Sequence, residues 1–208
     1  MKLRSICQIA FSVALLSASP MVFSENDKNK KNDRDDDHHP AAVIGFQDLD
    51  GTADLQGVGP TYSAKGYTFT YTPAPGEPFP TSLHSVGPGW QFNDGTTALL
   101  ANSASALTTL KRDDNQLFAL IAIDLAELNG PDSPGATSVT FQGATATGNL
   151  VSRKFNLDGK LGFQRIFFPE EFRKLTSVQW LQGDLVTVNP HMFDNVVLSL
   201  EEVKRRKK

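Results

Sequence analysis

Short runs in which apolar and polar residues alternate are the feature that most restricts how this chain can fold. Residues 66–71, Gly-Tyr-Thr-Phe-Thr-Tyr, carry an aromatic ring at every second position, and residues 138–143 and 177–181 show a similar spacing of apolar residues. A period of two is typical of a β-strand with one buried face. Roughly eight or more such segments, about 8–12 residues apart with turn residues between them, predict an all-β sandwich or barrel.

Two segments do not follow simple alternation. Residues 117–125 are almost continuously apolar, which predicts a strand buried on both faces. A helix there is the alternative, because Ala, Leu and the nearby Glu127 favour helices. Residues 169–175 begin with Pro, a favourable first helical residue, and allow one or two turns of helix. The fold prediction is a two-sheet antiparallel sandwich with at most one or two short helices.

The N-terminal segment has the composition of a targeting sequence. Lys2 and Arg4 precede a short apolar run, and small residues follow before Glu25, so residues 1–24 are predicted to be a signal peptide. The run is shorter than the ~20 residues that span a bilayer, and no transmembrane segment is predicted. Because Cys7 lies in this leader, the mature protein would contain no cysteine. We expect a secreted or periplasmic protein without disulfides.

Charge divides the rest of the chain into three parts. Residues 25–40 contain six acids, four bases and no aliphatic or aromatic residue, which predicts a disordered charged linker. Residues 201–208 end in a basic tail. Residues 41–200, the predicted sandwich domain, carry 9 basic and 15 acidic residues, a net charge of -6. This acidic balance argues against nucleic acid as the main partner.

Catalytic motifs are mostly absent from the sequence. It has no His-Glu-x-x-His, no Gly-x-Ser-x-Gly, no Gly-rich phosphate loop and no zinc-spaced cysteines. His84 and His191, the two histidines of the domain, are predicted to be exposed or locally bonded loop residues. We therefore predict that the protein is not an enzyme. A glycosidase needs only two facing carboxylates, and Asp132 and the acidic pairs at 113–114 and 170–171 keep that alternative open.

Several aromatic residues lie near loops rather than in the middle of strands. Sugar-binding surfaces present flat rings to the C–H faces of a pyranose, and Trp90, Tyr62 and Tyr71 are the candidates for such a ligand-binding platform. For Trp90, burial under a covering loop is the alternative. Trp180 and most of the 14 Phe residues are expected in the core.

The order of segments along the domain also suggests a family. Residues 43–49, 110–114, 121–125, 139–143, 175–180 and 193–198 together resemble exported bacterial proteins of the PEP-CTERM-associated type, whose ectodomains look like jelly-roll sandwiches. The resemblance implies a jelly-roll fold over about residues 43–200. The chain departs from the family in its last residues, which carry a basic stub instead of a Pro-Glu-Pro motif, hydrophobic span and final arginines. We therefore expect release or peripheral retention rather than anchoring.

The first and last strand-like segments also resemble those of jelly-roll, galactose-binding-like carbohydrate-binding modules. In such modules an acidic residue after the first strand and an aspartate in the last strand commonly share a structural calcium ion. The resemblance implies a calcium site formed by Asp194 with Asp48 or Asp50, and calcium prefers six to eight oxygen ligands. The alternative is that residues 48–51 form a turn and Asp194 accepts backbone N–H bonds.

These patterns lead to one functional prediction and two alternatives. The prediction is an exported, monomeric, non-catalytic module that binds a glycan or another component of the extracellular matrix or envelope, with calcium as its structural ion. The first alternative is a carbohydrate-active hydrolase or lyase. The second is a structural or adhesive envelope protein that binds through an exposed sheet face or edge strand.

Overall fold

The computed structural model describes residues 42–49, 51, 55–76, 82–90, 93, 95–103, 105–128, 138–183 and 191–200. The predicted signal peptide, charged linker and basic tail lie outside these residues, as do Asp50 and Asp132. In the part of the chain that is described, no helix is long and apolar enough to cross a membrane.

The described residues form thirteen β-strands and one short 3-10 turn, Glu170–Phe172. In chain order the strands are β1 (Ala42–Ile44), β2 (Gln56–Gly59), β3 (Thr61–Ala64), β4 (Tyr67–Thr72), β5 (Leu83–Val86), β6 (Ala98–Ala101), β7 (Leu107–Arg112), β8 (Phe118–Glu127), β9 (Ser138–Thr145), β10 (Leu150–Asn156), β11 (Gln164–Phe167), β12 (Leu175–Leu181) and β13 (His191–Leu200).

The strands form two antiparallel layers. The first sheet has the order β2-β5-β6-β13-β8, with β1 added to β13 and β11 added to β8. The second sheet has the order β3-β4-β7-β12-β9-β10. A single residue pair, Leu175 at the start of β12 with Phe118 at the start of β8, joins the two layers and makes the sandwich barrel-like. The prediction of an all-β, two-sheet antiparallel sandwich is confirmed, and the 3-10 turn is the one helical segment among the described residues. The jelly-roll connection of the strands stays a prediction.

The run at residues 117–125 forms strand β8 and not the alternative helix. Nine of the ten residues of β8 are buried, as expected for a strand that is covered on both faces. The first and last described strands also pair, with Ile44 opposite Val196, and this brings the loop after β1 close to the middle of β13.

An aromatic cluster holds the two sheets together. The ring of Phe193, on β13 of the first sheet, has its centroid 5.7 Å from that of Phe69 on β4 and 5.2 Å from that of Trp180 on β12. Phe46, just after β1, packs edge-to-face on Phe193 at 5.6 Å. All four side chains are fully buried or nearly so. Such ring pairs add to the stabilisation that burial of apolar area provides.

The two sheets differ in what covers their outer faces. In the first sheet all four residues of β6 are buried: Leu99 and Ala101 join the main core, while Ala98 and Leu100 join a second cluster. Side chains from outside the strands, Leu55, Trp90 and Phe163, pack on that second cluster. On the second sheet most outward positions are polar, and they are largely half-buried or exposed, as the pattern of β4 illustrates. The second sheet therefore offers the open face.

Candidate functional site

One line of polar side chains crosses all six strands of the second sheet on its outer face. Its members are cross-strand neighbours by register: Thr61 pairs with Thr70, Thr70 with Thr109, Thr109 with Gln179, Gln179 with Gln142 and Gln142 with Ser152. We call these six residues the polar row. Neighbouring strands lie about 4.8 Å apart, so the five steps span about 24 Å.

The polar row forms because each strand alternates. On β4 the residues Tyr67, Phe69 and Tyr71 are buried, which turns the intervening threonines outward. On β9 Val139 and Phe141 are buried, and Gln142 is exposed. Each member of the row is therefore the outward residue of a strand whose apolar neighbours face the core.

A groove of about 420 Å³ lies over Gln142 and Gln179 of the polar row and is lined by residues of strands β7, β12, β9 and β10. Its polar lining includes Ser138, Thr140, Gln142, Gln179 and Lys154. Gln179 Nε2 donates a hydrogen bond to Gln142 Oε1 at 3.2 Å, which orients both amides. That bond leaves the amide N–H groups of Gln142 as donors and Gln179 Oε1 as an acceptor for a ligand.

The apolar side chains of the groove are Leu107 and Leu181, and Trp180 also lines it. Leu181 is exposed and Leu107 is half-buried, whereas Trp180 is buried in the core. No Asp or Glu is present among the described residues that line the groove. The groove can therefore offer neutral hydrogen bonds, one positive charge and a small apolar surface.

The structure places the predicted aromatic residues in two different clusters. Tyr62 and Tyr71 are only 7% and 5% exposed and belong to the main core. Tyr62 lies opposite Phe69 in register and packs edge-to-face on Phe46 at 5.2 Å, so its ring does not face solvent. Trp90 is half-buried against the second cluster. This arrangement agrees with the alternative to a ligand-binding role, in which Trp90 is covered within a loop. The three rings do not form one exposed platform.

The carboxyl group of Asp194 is buried in the middle of β13. It accepts hydrogen bonds from the Thr96 hydroxyl, from Gln47 Nε2 at 3.5 Å and from the backbone N–H of Asn195 at 2.7 Å. Burial raises the pKa of Asp194, and these donors act in the opposite direction. The bond from Asn195 is the backbone interaction that was named as the alternative to a calcium site.

Asp48 lies beside the same region, in the exposed loop after β1. The Tyr62 hydroxyl donates to Asp48 Oδ1 at 2.8 Å. Burial of Tyr62, this hydrogen bond and the negative charges of Asp48 and Asp194 together raise the pKa of the phenol. Both carboxylates therefore act on one phenol. Asp50, the third predicted ligand, lies outside the described residues.

A β-bulge at Asn195 connects Asp194 to a second buried acid that the sequence did not indicate. Asn195 has a positive φ of 45°, and the register between β13 and β8 shifts between Asp194 and Val197. Asn195 Nδ2 donates to Asp124 Oδ2 at 3.0 Å, while its backbone N–H bonds Asp194. Arg165 holds Asp124 through two bonds of 2.7 and 2.9 Å. An asparagine inside an apolar strand was the available signal for this bulge.

Among the described residues, no group of three or more His, Cys, Asp or Glu side chains is arranged to hold a metal ion. Of the acidic pairs named as hydrolase candidates, Asp114 forms an ion pair with Arg112, and Asp113 accepts a hydrogen bond from Thr68. Glu170 and Glu171 begin the 3-10 turn.

The two histidines differ from each other. His84 is half-buried on β5, and its Nδ1 lies 3.1 Å from the carbonyl oxygen of Ser82. His191 was predicted to be an exposed or locally bonded loop residue, and this prediction is wrong. It begins β13, is fully buried, and neither ring nitrogen has a hydrogen-bond partner in the described part of the chain. Burial lowers its pKa to about 3, and the backbone of Gln182 acts weakly in the opposite direction.

Comparison with known proteins gives structural neighbours only. No protein-family model and no curated protein matches the chain. It is similar to a solved mutant of CBM29-2, a family 29 carbohydrate-binding module, with 9% identity over 77% of this chain and 84% of that chain, at a TM-score of 0.43. It is also similar to the enzymatically active domain of tailspike protein 4 from bacteriophage CBA120, with 12% identity over 66% of this chain and 20% of that one, at a TM-score of 0.34.

Proposed function

We propose that this protein is a non-catalytic binding module that recognises a glycan of the extracellular matrix or envelope on the outer face of its second sheet. The observation that supports the proposal is the groove over the polar row, with its paired amides Gln142 and Gln179. The recognising residues are then amides and hydroxyls on strands, and not the loop aromatics that the sequence suggested.

The chemistry of the groove suits a sugar chain. Each sugar hydroxyl is both a donor and an acceptor, and so are the Ser and Thr hydroxyls, while each amide offers both functions on separate atoms. The side chains stand on paired strands, so little conformational freedom is lost when a ligand binds. Leu107 and Leu181 supply apolar area for the C–H faces of the sugar.

A binding role fits the groove better than hydrolysis. Glycoside hydrolysis commonly needs two carboxyl groups about 5–9.5 Å apart across the scissile bond. The described groove residues include Lys154 but no acid. The buried pair Asp124 and Asp194 lies elsewhere, on the first sheet, where Arg165, Thr96 and Asn195 bond its oxygens.

We expect the protein to act outside the cytoplasm as a monomer. The basis is the sequence pattern of residues 1–24, which predicts export. Recovery of the protein from the periplasm or medium, with Glu25 as its first residue, would support this part of the proposal, and retention of the uncleaved chain in the cytoplasm would contradict it.

Calcium is proposed as a structural ion between the loop after β1 and the middle of β13. Asp194 and Asp48 would supply carboxylate oxygens. The Thr96 hydroxyl and the Gln47 amide donate hydrogen bonds to Asp194, and the oxygen of each group is a further ligand for the ion. A Cβ at position 45 would collide with Gln47 Oε1. Because Gly45 has no side chain, this amide oxygen has room beside the backbone. These oxygens suit a hard cation. The bound ion would offset the buried charge of Asp194.

Added calcium is expected to raise the melting temperature. A ligand at a hundredfold excess over its Kd stabilises the folded state by about 2.7 kcal/mol, which corresponds to a rise of about 5–10 °C for a domain of this size. Asp194→Asn, which keeps the shape of the side chain, should abolish the response, and magnesium serves as the control ion. An unchanged melting temperature in both calcium and chelator would contradict a calcium site.

Removing the paired amides should weaken glycan binding. The double variant Gln142→Ala with Gln179→Ala loses hydrogen bonds worth roughly 1 kcal/mol each, so affinity should fall about tenfold or more. Gln164→Ala, a change of the same type on β11 of the first sheet, is the matched control. Affinity electrophoresis against a panel of neutral and acidic polysaccharides provides the measurement. Equal retardation of the double variant and the wild type by every bound polysaccharide would contradict recognition in the groove.

A further inference from the structure

Charge is distributed unequally between the two sheets. The six strands of the second sheet contain Lys111, Arg112, Arg153 and Lys154 but not one Asp or Glu. Residues 41–200 as a whole carry 9 basic and 15 acidic residues. Four of the nine basic residues thus lie on a sheet without acids, in a domain with a net charge of -6. This arrangement makes the second sheet locally positive within an acidic domain.

Two of these four residues belong to the outer face. Lys111 follows Thr109 by two positions on β7, and Lys154 follows Ser152 by two positions on β10, so each shares the face of the polar row. Arg112 is turned elsewhere: it donates to the carbonyl oxygen of Leu117 and lies over the Tyr67 ring at 5.8 Å. Arg153 alternates with Lys154 and lies between Val151 and Phe155, which pack against the core.

The two lysines stand on opposite sides of the polar row. Strands β7 and β10 are separated by β12 and β9, and every pairing is antiparallel, so β7 and β10 run in opposite directions. Lys111 and Lys154 each follow a residue of the polar row by two positions. Because their strands run in opposite directions, the two lysines lie on opposite sides of the row. Their strands are about 14 Å apart, three strand spacings. A chain that follows the row passes between two positive charges.

Neither lysine is neutralised by an ion pair within the described part of the chain, where the salt bridges involve Arg112, Lys160 and Arg165. The acid nearest to this face by sequence is Asp113, two residues after Lys111, and it accepts a 2.6 Å hydrogen bond from Thr68, which lies opposite Lys111 in register. Lys154 lies in the groove itself, opposite Thr140 in register. Its charge is available to a ligand that already bonds the amides of Gln142 and Gln179.

We infer that the ligand of this face is an acidic polysaccharide, one whose sugars carry carboxylates, and that it lies along the polar row with its carboxylates paired to Lys154 and Lys111. This inference rests on the proposed glycan-binding function. Neutral side chains along about 24 Å would bond the sugar hydroxyls of several consecutive residues. The small number of cations, two on the face, suits a chain with one charge per sugar better than a nucleic acid, whose binding depends on many phosphate contacts.

The test compares polysaccharides that carry carboxylates with uncharged polysaccharides. Polygalacturonate and its fully methyl-esterified form share one backbone, and alginate with a neutral glucomannan provides a second pair. Isothermal titration should show at least about tenfold tighter binding of the carboxylate form in one of these pairs, with affinity that falls as salt is added. Lys154→Gln and Lys111→Gln should each weaken that binding about five- to tenfold. Lys160→Gln, an exposed lysine beside Asp158, should change nothing.

The outcomes separate the two proposals. Equal affinity for charged and neutral polymers, with no effect of Lys154→Gln, would overturn the inference of an acidic ligand and leave glycan recognition standing. Binding of neither form, with a folded protein by circular dichroism, would count against both. Loss of binding to the acidic polymer in Lys154→Gln, with unchanged binding of neutral polymers, would support the inference. A misfolded variant would instead bind neither kind of polymer.

Discussion

Lowering the pH from 7 to 5 is expected to decrease the free energy of unfolding by about 2 kcal/mol through His191 alone. The His191 ring is fully buried without a hydrogen-bond partner among the described residues, and its pKa falls from the usual 6.5 to about 3. In the unfolded chain the ring takes up a proton near pH 6.5, while the folded protein keeps it neutral. Stability is therefore lost at about 1.4 kcal/mol per pH unit below 6.5, and the loss ends near pH 3.

Other polar groups surround His191 or share its strand, and one of them changes stability with pH in the opposite direction. Glu127 lies opposite it in register and accepts a hydrogen bond from the backbone N–H of Gly159, and the Gln182 side chain bonds the carbonyl oxygen of His191. Asp194 has a raised pKa, so its own contribution becomes more favourable as the pH falls, which opposes His191. The comparison must therefore isolate His191 by substitution.

The measurement is urea unfolding at pH 7 and pH 5 for the wild type and for His191→Leu. Between pH 7 and pH 5, the free energy of unfolding should decrease by about 2 kcal/mol less in the variant than in the wild type. Met192→Leu, at the neighbouring buried position of β13, removes no titratable group and should keep the wild-type difference between the two pH values. Equal losses in the wild type and His191→Leu would contradict the prediction. If the variant does not fold, proton NMR of the wild-type ring at decreasing pH gives the answer, since no titration should occur down to pH 4.

Phe193→Ala is expected to lower the free energy of unfolding by about 3–5 kcal/mol. The Phe193 ring contacts Phe46, Phe69 and Trp180 and so joins the first sheet to the second. Removing it leaves a cavity between the sheets that the neighbouring rings, held on paired strands, can fill only in part. Phe193→Leu should cost less, because most of the volume is kept.

Phe167→Ala is the matched control for the core variant. Phe167 is on β11 and 68% exposed, so its truncation should change stability by about 0.5 kcal/mol or less. Denaturant unfolding of the three variants and the wild type gives the comparison. A loss of less than 1 kcal/mol in Phe193→Ala, with an unchanged m value, would contradict a core built around this ring.

The sequence was sufficient for the fold because alternation is a local property. The Tyr-Thr-Phe-Thr-Tyr run predicted β4, and the continuous apolar run predicted β8 with both faces covered. The same alternation also indicates that Tyr71 shares a face with Phe69, and hence with the core. Tyr71 also directly precedes residues 72–80, which contain four Pro and indicate a loop, and this position predicted a surface location instead.

The candidate site could not be predicted from local pattern. The polar row joins Thr70, Thr109, Gln179 and Gln142, which are far apart in sequence and become neighbours only through the register of four strands. One shift of register by a single residue would turn the outward residues of a strand inward. His191 was misjudged for a related reason: the Pro that precedes it indicated a loop, whereas the ring begins a buried strand.

Mapping of amide chemical shifts by NMR during titration with a bound polysaccharide tests most directly that the outer face of the second sheet is the binding surface. The expected result is a set of shifts that follows the polar row, including the side-chain amides of Gln142 and Gln179 and the backbone of Lys154. Shifts confined to Trp90 and the second cluster, with the polar row unaffected, would contradict it.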